Sequence, residues 1–526
     1  MTNSATVSTS LATLGAGGWT IAAPQLARNA NTAPRLFYQV GDSLTSKGNY
    51  NVTATTVVLS NGIATITATS HGLFPGASVT LSCANEDQIN GVWTVLDVQS
   101  SSQFTISMPA VGSFTATGTI QVINNQGIRD LNYFEIANAM LRHPFLLLRN
   151  VGKPGKTLAY IQAGFARDVL SKNPDGVKIQ GGINDVIASA SDGSDADAVL
   201  AAMIAPMKAM IAECVSRNIF TIVETVGPLG VARDANFAIK NRIVYRFNDW
   251  LKQYCQVVAR SVFLLDTHRL WVNPTAAADG EWASGMSTDG AHPTAKATQA
   301  AGIELAALLA SSHFLQRPKV GSGANAYTEH SSLNNVILNP LFETAGGTLT
   351  AAGAGSGAAT NTSHAQLWTT TWTRAGLGTI TSQLVARADG LGNDQQFTVN
   401  PADAGDQLSM LSNAMAARVT AGDIISAFLN LQISALAAVS NIFFSIDWSY
   451  NGLTYTQPCG MITGSDGQIT TDFDWWLETL PFTLPGVPTT FRMRLTVAFS
   501  GAAANVIVKA GVPGLIKQTA YTAASI

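Results

Sequence analysis

Between Asp130 and Ser311 the apolar pattern switches repeatedly between a period of two and a period near 3.6, and this constrains the fold more than any other feature. Asp130–His143, Thr157–Ser171, Asp195–Arg217, Ala235–Ala259 and Thr294–Ser311 read as amphipathic helices. Phe145–Leu148, Gly176–Gln180, Phe220–Val223 and Val262–Leu265 are short apolar runs of strand length. Strands alternating with helices predict a parallel sheet covered on both faces. Ligand sites in such sheets lie beyond the carboxyl ends of the strands. An earlier run, Arg35–Val40, supplies a further strand, and Gly41-Asp42-Ser43-Leu44 closes it.

A serine on a turn at a strand end is where a hydrolase exposes a nucleophile. Two later segments share the predicted face or its surroundings: Gly182-Ile183-Asn184-Asp185 after the third strand, and Asp289-Gly290-Ala291-His292 before the last helix. A serine hydroxyl needs a base within hydrogen-bond reach, and Asp-x-x-His offers a base and its orienting carboxylate from one turn. Ser, Asn, Asp and His, in this order and with these neighbours, resemble the SGNH or GDSL hydrolase family over residues 35–50 and 127–315.

The resemblance implies a flavodoxin-like, three-layer α/β/α hydrolase with a parallel sheet. It implies Ser43, Asp289 and His292 as the catalytic set, and an oxyanion hole of the Ser43 N–H, a glycine N–H and the Asn184 side chain. Aligned on Asn150 and Thr157, the family pattern selects Gly155, with Gly152 second. It implies ester hydrolysis with neither metal nor cofactor. Because small acyl groups on sugars are a frequent substrate class in the family, we expect an O-acetylesterase acting on a polysaccharide. The alternatives are a lipid esterase or thioesterase, and a tail adhesin that binds glycan without chemistry.

Residues 51–126 interrupt this pattern just after the serine. From Asn51 to Asn125 there is no Lys or Arg, and runs such as Thr56-Val-Val-Leu and Val92-Trp-Thr-Val-Leu alternate between Asn-Gly, His-Gly and Pro-Gly turns. They predict a small antiparallel β-module, with Trp93 as a candidate stacking residue. Its runs around His71 and Trp93 resemble β-sandwich modules of phage tail proteins. Residues 316–332 read as a linker. Residues 333–526 read as a C-terminal β-sandwich, of jelly-roll kind, in which Trp368, Trp372, Trp448, Trp475 and Trp476 either pack the core or stack on sugars; burial is the favoured reading.

Charged residues make up 12% of the 526-residue chain and the net charge is −3, with no long basic run, so no nucleic-acid footprint is expected. No membrane insertion is expected either. Cys83, Cys214, Cys255 and Cys459 match no zinc spacing and read as free thiols. The N-terminal segment 1–34 has no Lys or Arg before Arg28. With the polar β-modules, this leads us to expect a virion tail or extracellular protein. A secreted bacterial protein whose signal has been removed is the alternative. A homo-oligomer is an open expectation, a trimer if the chain is a tail protein.

Three decoys need weighing. Asn150–Thr157 ends in Gly-Lys-Thr like a phosphate-binding loop, but lacks its first glycine. Asp266-Thr-His268 follows a strand and is read as structural, because Asp289/His292 has the family spacing. Asp185 is expected to cap the helix that follows it.

Overall fold

The computed structural model describes residues 35–46, 49–83, 89–108, 114–115, 120–128, 132–141, 145–258, 261–275, 279–310, 335–353, 358–436, 438–462 and 471–517. The expected N-terminal segment 1–34 and linker 316–332 lie outside the described residues.

Five parallel strands form one sheet in the order Phe145–Asn150, Arg35–Val40, Gly176–Ile179, Phe220–Glu224, Val262–Leu265. The chain steps outward once from Arg35–Val40 and then runs the other way, so the strand order reverses at that strand. Such a reversal opens a crevice at the carboxyl ends. Gly176–Ile179 and Phe220–Glu224 are buried along their whole length, as expected for central strands of a covered parallel sheet.

Helices Tyr133–Met140 and Ala295–Ala310 pack together. Leu158–Asp168 packs on Ala196–Ser216, and Ala196–Ser216 on Phe237–Val258. Their termini fall within a few residues of the sequence expectation. Two short helices, Ile183–Ile187 and Thr267–Trp271, carry too few residues for a periodic signal. Ala196–Ser216 is long and apolar enough to cross a membrane by length and composition. In this fold its face of Met203, Met207, Met210, Ile211 and Cys214 is buried against the domain.

The inserted module begins with Asn49–Ala54, which pairs antiparallel with Ile120–Ile128. Its strand Thr56–Ser60 alternates exposed and buried residues. The module is docked on the C-terminal region. Phe74 packs edge-on against Trp448 and Phe482, at 5.6 and 5.3 Å between ring centroids. Ile128 pairs with Cys459, so one sheet runs from the module into the C-terminal strands. Trp93 is half-buried and its indole N–H donates to the Ile89 carbonyl at 2.9 Å.

The C-terminal region has two sets of strands with alternating burial. One contains Trp368–Arg374, Ala404–Ser412, Thr490–Ser500, Val439–Tyr450 and Leu453–Ile462. The other contains Thr379–Ala386, Asn393–Asn400, Val506–Lys517, Ile424–Ser434 and Phe473–Glu478. Trp368, Trp372, Trp448, Trp475 and Trp476 are all buried, so they pack the core and none offers a sugar platform. Cys214, Cys255 and Cys459 are buried and free; the Cys83 side chain lies outside the described ones.

Candidate active site

Ser43 stands at the carboxyl end of the strand Arg35–Val40, on a turn that only glycine can begin. A Cβ on Gly41 would lie 2.3 Å from Thr45 Oγ1 and 2.7 Å from Gln180 Oε1. Gln180 ties the turn to the next strand, since its Oε1 accepts from the Asp42 N–H at 3.3 Å and the Thr45 hydroxyl at 3.0 Å. On the other side the Asn150 amide donates to the Thr45 carbonyl, and the Lys153 N–H donates to the Gly41 carbonyl at 2.7 Å.

The loop Asp289–His292 builds itself locally. Asp289 Oδ1 accepts from the N–H groups of Ala291 and His292 at 2.9 and 2.8 Å. Gly290 takes a left-handed φ of +74°, which lets the loop lie against Gly230; the Gly230 N–H donates to the Gly290 carbonyl at 2.8 Å. The His292 Nδ1–H then donates to Asp289 Oδ2 at 2.6 Å, and the Ser43 hydroxyl donates to His292 Nε2 at 2.8 Å. Residues separated by 249 positions are thus joined in one hydrogen-bonded chain. Burial acts to raise the Asp289 carboxyl, but the bonds from the His292 ring and from the two N–H groups outweigh it and hold it at about 2. Asp289 is therefore ionised wherever the imidazole is active.

Gly155 and Asn184 lie beyond the ends of the two strands that flank Arg35–Val40. Gly155 is exposed, and its N–H has no hydrogen-bond partner among the described residues. The N–H of Gly152 instead donates to Asn150 Oδ1 at 3.0 Å, which favours Gly155 of the two glycines. Asn184 Nδ2 donates one hydrogen to the Lys156 carbonyl at 3.1 Å. That bond orients the amide and leaves its second N–H for another acceptor.

The decoys resolve by their partners. In the loop Asn150–Thr157, Lys153 pairs with Asp168 at 2.7 Å, Lys156 Nζ lies 4.6 Å from the Tyr160 ring centroid, and Thr157 caps the helix Leu158–Asp168. Asp266 pairs with Lys252 at 2.8 Å and caps the helix Thr267–Trp271, while buried His268 packs edge-on against Tyr245. Burial pushes His268 down to about 4. Asp185 corrects the sequence expectation: it lies inside Ile183–Ile187, and its Oδ2 accepts from the N–H of Leu158 at 3.0 Å, so it caps a neighbouring helix instead.

Gln180, the bond from Asn150 to the serine turn and a group of charges beneath that turn were missed in the sequence. Their signal was polar residues at or inside buried strands, Lys178 within Gly176–Ile179 and Glu224 closing Phe220–Glu224.

The GDSL-like lipase/acylhydrolase family model matches residues 113–300. The chain carries a GDSL-like acylhydrolase domain. It is an ester-hydrolysing enzyme. The match includes Gly155, Asn184, Asp289 and His292 and begins after Ser43. No curated protein matches. Among solved structures, a lipolytic protein of the G-D-S-L family from Desulfitobacterium hafniense is 19% identical, covering 34% of this chain and 88% of its own, with a TM-score of 0.27. An acetylxylan esterase from Geobacillus stearothermophilus is 17% identical, covering 54% of this chain and 97% of its own, at 0.29. A GDSL-like lipase from Bacteroides thetaiotaomicron is 19% identical, covering 31% and 74%, at 0.24.

Proposed function

We propose that this chain is a serine esterase that removes O-acetyl groups from a polysaccharide, such as a bacterial surface glycan, with Ser43, His292 and Asp289 as its catalytic residues. The observation that carries the chemistry is the Ser43–His292–Asp289 hydrogen-bonded chain, at 2.8 and 2.6 Å. His292 takes the Ser43 proton as the hydroxyl attacks the ester carbonyl, and returns it to the leaving sugar hydroxyl. Asp289 holds the ring tautomer and stabilises the imidazolium. The oxyanion is received by the N–H groups of Ser43 and Gly155 and by the Asn184 amide. Water then repeats the sequence on the acetyl-serine and releases acetate.

Two features favour a polymer-borne ester. The His292 and Asp289 side chains retain 38% and 47% of their exposure, so a substrate too large to be enclosed can still reach them. The domain is also built into two β-rich regions, as suits an enzyme working on a surface. A virion tail or extracellular setting rests on the polar composition and the resemblance of the module. The test is acetate release from acetylated polysaccharides compared with hydrolysis of long-chain esters, with Ser43→Ala as control. Preference for the long-chain ester would replace the polysaccharide reading with a lipid one.

A further inference from the structure

The oxyanion donors proposed above come from separate segments of the chain, and a closed circuit of bonds joins those segments beneath the serine. The circuit starts at Thr45, which is fully buried. Its hydroxyl donates to Gln180 Oε1 at 3.0 Å, and the same oxygen accepts from the Asp42 N–H at 3.3 Å. The Leu44 N–H donates to Asp42 Oδ1 at 3.0 Å. The N–H groups on either side of Ser43 are therefore both engaged, which restricts the planar peptide unit between them.

From buried Gln180 the chain runs through Gly181-Gly182-Ile183 to Asn184. This link is tightly packed, since a Cβ on Gly182 would lie 2.9 Å from Met203 and 3.0 Å from Val226. The Asn184 amide then donates to the Lys156 carbonyl at 3.1 Å. Gly155 sits in a turn closed by the Lys156 N–H, which donates to the Lys153 carbonyl at 3.3 Å. That loop returns to the serine turn twice. The Lys153 N–H donates to the Gly41 carbonyl at 2.7 Å, and the Asn150 amide donates to the Thr45 carbonyl. Thr45 thus donates to the segment that carries Asn184 and accepts from the segment that carries Gly155.

We propose that Thr45 and Gln180 are positioning residues: the bond between them holds the Ser43 N–H, the Gly155 N–H and the Asn184 amide in one fixed frame for the oxyanion. The inference rests on the oxyanion assignment under the proposed function. Neither residue takes part in the proton transfers. Their effect appears as the ester oxygen becomes an anion, because donors already aimed at it need no reorganisation. A small displacement of the turn is costly to the rate for the same reason.

The test uses the full chain and a small acetyl ester, so it is independent of the polysaccharide assignment. Gln180→Leu and Thr45→Val keep the size of each side chain and remove one half of the bond; Thr45→Ser keeps the hydroxyl. End-point labelling with an organophosphonate counts competent Ser43 sites. Per labelled site, Gln180→Leu and Thr45→Val should each lower kcat about 10- to 100-fold, with KM within about twofold. The double variant should be no worse than about twice the poorer single one, because both changes remove the same bond. Thr45→Ser restores the donor and should return to within about threefold of wild type. Affinity for an aryl trifluoromethyl ketone should fall in parallel with kcat. Ser43 Oγ adds to its carbonyl carbon, the serine proton passes to His292, and the hemiketal oxyanion that forms needs the same donors. Unchanged kcat per labelled site in both single variants, or a fall in kcat with unchanged ketone affinity, overturns the proposal. Should Gln180→Leu not fold, Thr45→Val and Thr45→Ser decide by the same readouts. Failure of the phosphonate to label Ser43 in the wild-type chain would overturn the mechanism proposed above, and this inference with it.

Discussion

The C-terminal region and the acylhydrolase domain both pack aromatic rings, but they differ in what lies beside them. In the first, Trp448 is fully buried and stacks on Tyr455 at 4.5 Å and Phe482 at 5.6 Å, with Phe74 of the inserted module against its edge. In the second, the sheet face under Ser43 buries Lys178, Glu224, Glu135 and Asp42. Aromatic packing stabilises by area and contact and is indifferent to pH. Buried carboxylates weaken the fold as they ionise, yet they place charge where a reaction develops it. The difference lies in where buried charge sits: in the acylhydrolase domain it gathers under the catalytic turn, whereas in the C-terminal region buried Asp394, which burial raises, is paired with Arg387 away from the catalytic loop.

The contrast can be broken most decisively at the nucleophile. Ser43→Ala and His292→Ala should each lower kcat about 10⁴–10⁶-fold, because the pair acts as one unit, while thermal unfolding stays close to wild type. Near-normal acetyl-ester turnover in Ser43→Ala would remove the proposed mechanism. At the opposite pole, Trp448→Ala should destabilise by about 3–5 kcal/mol through the cavity it leaves. Turnover per folded molecule, measured well below the unfolding temperature, should be unchanged; a parallel loss of turnover would show that the two regions are not separable.

Asn184→Ala sharpens the chemical side. It should cost roughly 3 kcal/mol of transition-state stabilisation, about 10²–10³-fold in kcat, with KM little altered. A change confined to KM would make Asn184 a ground-state binder. The smallest effect is on stability. Asp42 has a folded-state value near 6 against an ordinary 3.8, so the folded protein binds more protons than the unfolded chain between about pH 4 and 6. Its contribution therefore becomes less favourable as pH rises through that window. Asp42→Asn should match wild type near pH 4 and exceed it by on the order of 2–3 kcal/mol above pH 7, read from denaturant unfolding across the range. Trp448→Ala should show the same deficit at every pH. A constant offset for Asp42→Asn would mean that its carboxyl is not under electrostatic stress.

Several features of this protein were legible because they are local. The alternation of periods between Asp130 and Ser311 specifies a covered parallel sheet, since each helix and strand signals its own buried face within a dozen residues. The turn at Asp289–His292 closes through bonds between residues at most three apart, so its four-residue spacing already contained its geometry. The partners across the fold were not legible. Asp185 caps Leu158 because two loops meet at one end of the sheet. Phe74 packs on Trp448 because the module docks on strands far along the chain. Lys178 meets Glu224, Tyr133 and Gln39 only through parallel register and the placement of one helix. Sequence period tells a residue which face to bury; which groups await it there is fixed by strand order and register, and these depend on contacts between distant segments that no local pattern encodes.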